Sequence, residues 1–434
     1  MTTTALAEVW LWGRRIGAVA EHDDRTIVFE YTPEFRRSGL EVSPVHLPLA
    51  TEGPVSFPEL GRRPAFNGLP GLLADALPDA FGNAVIRAYY TARGQEALAL
   101  SPVQKLLYVG DRAIGALTFR PAVELPVRAA EEEALEVAAL VRASRKVIEG
   151  DPDVTVPEIY RVGASAGGMR PKAVVRYDRG RGVLRSGFAE PSADDLPYLL
   201  KFDGVGDDLT AERLGGPQPF NRIEAAYARM ARAAGIEMAE VEILEGCEPH
   251  AHLLVRRFDR EGGERLHQHT LGGLLHVDFN DVGASSYEEY LRTILRLGLP
   301  PAAVDEGYRR MVFNVVSVNQ DDHVKNLSFL MQPDGTWRLT PAYDVTFARG
   351  HGWTSTHQMR VADKLSGVTR HDLLGVARTF GVKRPERVVE EVRHGVDQWP
   401  KAAREAGVDA DHVERIQLEL DRRWRELSQG ARVG

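Results

Sequence analysis

A chain of 434 residues, 43% hydrophobic and 27% charged, has the make-up of a folded globular protein and not of a disordered one. At roughly 100 to 200 residues per domain it provides for two to four compact units. A formal net charge of -8 excludes nucleic-acid binding through a bulk positive field, and a single cysteine, Cys247, excludes an internal disulfide or a Cys-built zinc cluster.

One cysteine suits a reducing compartment. No apolar run reaches about 18 residues, and the first residues lack the order of a secretion signal, so a cytoplasmic location without membrane contact is expected.

The chain begins as strands. Residues 7 to 20 alternate around a Gly13-Arg14 turn, and TIVFEY (26 to 31) adds β-branched and aromatic residues. From Pro70 to about Ala97 the spacing of Leu73, Leu77, Phe81, Val85 and Tyr89 predicts helix covering that sheet. A Pro-containing stretch, Arg120 to Arg128, followed by Glu131 to Glu133 and a helical pattern to Ile148, reads as a connector with a boundary near residue 125. Strand-like runs return at KAVVRY, YLLKFDG, AEVEIL and HLLVRRFDR. Between them, Asn221 with Glu224 resembles an N-cap and capping box opening a helix that Gly235 ends. Helices are expected at about 286 to 297, 302 to 319, 384 to 398 and 411 to 427, with one hairpin, Leu327 to Thr340, around Asp334-Gly335.

The densest group of chemistry-bearing residues is NQDDHVKN, Asn319 to Asn326, which leads into that hairpin. A hairpin returns its ends to one place. Asn326 before the outgoing strand and Asp344 after the returning one therefore bring a carboxamide and a carboxylate together, the hard oxygen donors that magnesium takes. Asp321 stands five residues before Asn326, the Asp-to-Asn spacing of a protein-kinase catalytic loop, where the Asp receives a hydroxyl proton. His323 either braces backbone or touches a ligand, and Lys325 lies in the same turn.

A second group is the loop Arg161 to Lys172, with Gly163, Ala164, Ser165, Ala166, Gly167 and Gly168. Its glycines permit close backbone approach and its N–H groups can cradle phosphate. It is not a Walker A loop, since Met169 and Arg170 follow Gly168. Gly163-Ala164-Ser165-Ala166-Gly167 fits a serine-hydrolase elbow, but Pro171 and KAVVRY predict a strand after it where that elbow requires a helix. Only eight lysines occur, and Lys201 sits in an apolar strand, where it must reach solvent or meet an anion. Glu224 is available as its partner. Arg256 and Phe258, in the run Leu254 to Arg260, stand where a kinase hinge would flank adenine, although Phe258 reads equally as a core aromatic.

Taken in order, GASAGGMRPK, YLLKFDG, LVRRFDR, DDHVKN and TPAYD resemble the HipA family, serine/threonine kinase toxins of bacterial toxin-antitoxin pairs. The resemblance implies an α+β, protein-kinase-like two-lobed fold: a β-rich N-terminal subdomain (1–125), a nucleotide-binding lobe (126–260) and a helical catalytic lobe (261–434). It implies ATP and Mg2+ as cofactors, Asp321 as base, Asn326 and Asp344 as metal ligands, and Lys201 as the phosphate-binding lysine. It also implies autophosphorylation of Ser165 as self-inactivation, because a phosphate there adds about -1.5 to -2 charges where ATP phosphates must lie. Family members phosphorylate a protein, an aminoacyl-tRNA synthetase in some cases, and are neutralised by a small helix-turn-helix antitoxin that carries them to operator DNA.

Two departures stand out. Arg256 replaces an acidic hinge residue of many relatives, and Asp344 is followed by Val345 and Thr346 in place of Phe-Gly. The alternative readings are a silent kinase-fold co-repressor bound to a helix-turn-helix partner, and a Ser165 hydrolase.

Overall fold

A computed structural model describes residues 2–94, 100–123, 135–151, 170–205, 219–244 and 246–429. The chain forms two compact units: Met1–Gly206 with Leu254–Asp278 and Leu330–Thr336, and Asp207–Leu253 with Phe279–Phe329 and Trp337–Gly434. The described residues combine helices and strands in an α+β fold. No helix among the described residues is long and apolar enough to cross a membrane.

The first unit holds the expected opening strands. Thr3–Leu11 and Arg14–His22 pair antiparallel, Ile27–Tyr31 pairs with the second, and Leu117–Arg120 adds to the other edge. The tight turn puts Trp12 and Gly13 at φ 48 and 74, the left-handed pair that a two-residue hairpin demands. Alternation buries Ala7, Val9, Leu11, Ile16, Val19 and Phe29 on one face. The helix Pro102–Val109, closed by a Ser101–Gln104 capping box, lies against that sheet.

The helical stretch expected from Pro70 to about Ala97 consists of two helices, Gly71–Ala74 and Ala80–Thr91. Pro78 cannot continue the first, and Asp79 restarts the chain as N-cap, accepting from Gly82 N–H at 2.7 Å. A second sheet runs Val183–Ser186, Lys172–Asp178, Asp195–Lys201, then Leu253–Arg256. The strand Lys172–Asp178 buries Lys172 to Val175 without interruption.

The second unit is helical around Pro301–Val316, against which Tyr287–Arg296, Arg370–Phe380, Pro385–Val396 and Ala410–Gln429 pack. Arg370–Phe380 and Trp399–Glu405 were not expected from the sequence. Asn221 is not an N-cap. The helix Phe220–Ala233 already includes it, and its buried Nδ2 donates to Ala251 C=O at 2.8 Å, a bond that reaches across the fold instead of along the helix. Gly235, at φ 78, does end that helix. Pro301–Val316 stops three residues short of the expected end. There the chain reverses through Val318 at φ 57, a conformation costly for a β-branched residue and held by bonds on both sides.

Candidate active site

The reversal at Val318 delivers the chain into Asn319–Asn326. Asn319 N–H donates to Asn314 C=O at 3.0 Å, Ala348 N–H to Val318 C=O at 3.2 Å, and Gln320 N–H to Ala348 C=O at 3.0 Å. The loop is thereby fastened before any of its side chains acts. Beyond it the hairpin strands are Ser328–Met331 and Trp337–Leu339, and Thr340 N–H closes the base on Ser328 C=O at 3.1 Å.

Tyr343, the residue before Asp344, staples the hairpin to the loop. Its hydroxyl donates to Lys325 C=O at 2.6 Å and meets Ser328 Oγ at 2.5 Å. Asp344 itself adopts φ 56, turning back toward Asn326, and the two line one cavity together with Asn314, Asn319 and Asp322.

Asn326 Nδ2 donates to Asp321 C=O at 3.0 Å. That bond uses an amide hydrogen and leaves the amide oxygen available as an acceptor. An amide oxygen and a carboxylate are hard donors that fit Mg2+, which keeps its other positions for water and phosphate oxygens. Among the described residues no group of three or more His, Cys, Asp or Glu is placed to hold a metal ion.

Asp321 is half-buried. Burial pushes its carboxyl above the usual range, His323 opposes that shift, the Asp344 charge adds to it, and a hydrogen bond from Trp353 opposes it again. Asp321, Asn326 and Asp344 thus come together as expected from their spacing. His323 rests its ring 5.4 Å from Phe279, and its buried Nδ1 has no hydrogen-bond partner among the described residues. Lys325 Nζ stands 5.0 Å above the same Phe279 ring, a cation–π contact.

The neighbour Asp322, to which spacing assigns no role, is the structural hub. It is buried, its Oδ2 meets Tyr287 OH and His357 Nδ1, each at 2.8 Å, and its Oδ1 accepts from Gln358 N–H at 2.8 Å. Asn314 Nδ2 donates to Tyr287 OH at 2.8 Å, and Asn319 Nδ2 donates to Asn314 Oδ1 at 3.0 Å, extending the network to the start of the loop. Burial and the Asp322 charge push the Tyr287 phenol well above its usual range, so it stays a donor.

In the first unit, Lys172 and Lys201 lie directly opposite each other on paired strands, and both are buried. Lys172 Nζ is 3.3 Å from Asp79 Oδ2, a buried ion pair that ties this strand to the N-cap of Ala80–Thr91. Arg256 lies over the Tyr198 ring at 5.6 Å, and Phe258 is half-buried in the turn after it. Gly163, Ala164, Ser165, Ala166, Gly167 and Gly168 lie outside the described residues. The strand Lys172–Asp178 comes next in the chain, the context that disfavours a serine-hydrolase elbow.

Two family profiles match the chain. The profile described as HipA-like C-terminal domain matches residues 164–419, and that of the HipA N-terminal domain matches residues 7–120. The chain belongs to the HipA family. A Sinorhizobium fredii protein named "Putative kinase Y4mE" is 24% identical to this HipA-family chain over 369 residues, 79% of the chain and 77% of the relative. A Haemophilus influenzae protein named "Putative kinase" is 24% identical over 208 residues, 44% of the chain, which spans about half (54%) of that relative's length. Among solved structures, the Shewanella oneidensis toxin-antitoxin complex of HipA, HipB and operator DNA contains a chain that matches with a TM-score of 0.64 and 19% identity, over 96% of each chain. At that identity the likeness establishes the fold.

Proposed function

We propose that this HipA-family chain is an ATP- and Mg2+-dependent serine/threonine protein kinase, the toxin of a HipA–HipB-like pair. One observation carries the reading: Asp321, Asn326 and Asp344 occupy one loop and one hairpin end, with Asn326 bonded to the loop that holds Asp321. Phosphoryl transfer asks mainly for positioning and charge neutralisation, which such an arrangement provides.

In this reading Asp321 accepts the proton of a Ser or Thr hydroxyl. Asn326 and Asp344 hold Mg2+, which when bound neutralises phosphate charge. Lys201 and Lys172, from the lobe 126–260, meet ATP phosphates, and Arg256 and Phe258 flank adenine. His323 and Lys325, in the same loop, take part in catalysis beside Asp321. Ser165 receives a phosphate that repels the next nucleotide and silences the enzyme. A small helix-turn-helix antitoxin binds the chain and connects it to DNA, and the acceptor is a protein.

The test is purified protein with γ-labelled ATP and Mg2+. Label on Ser165 that disappears in Asp321→Ala supports transfer. Nucleotide binding without any transfer would instead favour the silent co-repressor.

A further inference from the structure

Asp321 has two carboxylate oxygens, and one of them is already taken. Trp353 Nε1–H donates to Asp321 Oδ1 at 3.1 Å. That leaves Oδ2 as the oxygen with capacity for a substrate hydroxyl. The donor comes from a segment nine residues past Asp344, and sequence spacing gives no hint of it.

The indole does not reach the base by chance, because the segment that carries it is fastened to the same loop. Trp353 opens the short turn Trp353–Ser355, and its carbonyl accepts from Gln358 Nε2 at 2.7 Å. The same Nε2 donates to Gln320 C=O at 3.2 Å, and the Gln358 main-chain N–H donates to Asp322 Oδ1 at 2.8 Å. His357 Nδ1 meets Asp322 Oδ2. Asp321, Asp322, Gln358 and Trp353 therefore form a closed circuit of covalent and hydrogen bonds. On its outer side the indole meets the Phe279 ring edge-on, 6.4 Å between centroids.

We infer that Trp353 is a positioning residue for phosphoryl transfer: its indole N–H fixes the rotation of the Asp321 carboxylate so that Oδ2 faces the acceptor hydroxyl. The inference rests on the kinase reading above. In the step it serves, the acceptor O–H bond breaks with its proton passing to Asp321 Oδ2. The acceptor oxygen bonds to the γ-phosphorus, and the bond from the γ-phosphorus to the bridging oxygen breaks to release ADP. A carboxylate free to rotate spends part of its time with neither oxygen aligned, and misorientation lowers kcat without touching nucleotide affinity.

The experiment measures Mg2+-dependent ADP formation by the full chain, comparing wild type with Trp353→Phe, which keeps an aromatic ring against Phe279 and removes the N–H. The expected result is a kcat lower by about 10- to 100-fold, with KM for ATP within about twofold. In an Asp321→Asn background, Trp353→Phe should change the residual rate by less than about twofold, since the base it positions is gone. An unchanged kcat in Trp353→Phe overturns the inference, as does an equal fall in the Asp321→Asn background, which would mark a packing role. Should Trp353→Phe fail to fold, the indole N–H resonance of Trp353 decides: it moves upfield in Asp321→Ala if the bond exists, and stays in place if it does not. A wild type that forms no ADP overturns the kinase reading together with this one, whereas an active wild type with an indifferent Trp353→Phe overturns this one alone.

Discussion

Tyr287 hydroxyl donates to Asp322 Oδ2 at 2.8 Å while itself accepting from Asn314 Nδ2, so the helix Tyr287–Arg296, the helix Pro301–Val316 and the Asn319–Asn326 loop share one proton-donor chain. Replacing Tyr287 by Phe removes one bond to a buried carboxylate and should cost about 1 to 2 kcal/mol; Asp322→Ala strands three donors and should cost about 3 kcal/mol or more. Urea unfolding of the two variants checks the order. Equal midpoints would mean that Asp322 is not the hub.

Asp344 presents a choice of substitution. At φ 56 an alanine there adds backbone strain of order 1 kcal/mol to the loss of the carboxylate, whereas asparagine tolerates the left-handed region. Asp344→Asn should therefore unfold like wild type while Mg2+-dependent ADP formation falls by about 100-fold or more. Activity close to wild type at low Mg2+ would place the metal elsewhere.

Acid stability follows from two buried histidines of the first unit. Burial, helped by the neighbouring His269, lowers His267 to about 3. Burial, helped by His46, likewise lowers His276 to about 3, where its Nε2 accepts from Gly71 N–H at 3.0 Å. Both start from 6.5 in the unfolded chain, so between pH 6.5 and 3 the unfolded state binds more protons and stability falls as pH falls. From pH 7 to pH 5 each histidine should remove about 2 kcal/mol. His267→Gln keeps a donor for Val42 C=O, 3.0 Å from His267 Nε2, and should cut the pH slope of the unfolding free energy by about half. An unaltered slope would assign the effect to other groups.

Gly395 is required by packing. A Cβ there would stand 2.5 to 2.7 Å from Ala234 N, Cβ and Cα, so Gly395→Ala should cost about 1 to 3 kcal/mol by overpacking. The gain in helix propensity, about 1 kcal/mol, has the opposite sign and is the smaller of the two. A rise in melting temperature would show that the two helices separate freely.

The parts of this molecule written in local patterns were legible. The opening hairpin, the Asp334-Gly335 turn and the long amphipathic helices follow from side-chain period and turn chemistry, and the Asn326–Asp344 juxtaposition followed from the hairpin between them. What escaped depends on contacts far apart in the chain. Asn221 and Glu224 have capping-box spacing, yet Asn221 is claimed by Ala251, 30 positions away. Asp322 looks like the spare half of an Asp pair because its partners Tyr287 and His357 each lie 35 residues distant. Trp353 carried no signal beyond being an aromatic residue in a loop. The missed helix Arg370–Phe380 does have a local signal, since Thr369 with Asp372 spells the capping box that opens it.

The anchorage of the Val318–Gln320 segment is complete within the polypeptide itself. Its order is supplied by folding, so a ligand entering the neighbouring cavity does not bear the entropy of freezing that backbone. Amide protons of Asn319, Gln320 and Gln358 should accordingly exchange slowly with heavy water in protein stripped of every small molecule, at rates matching the surrounding helices.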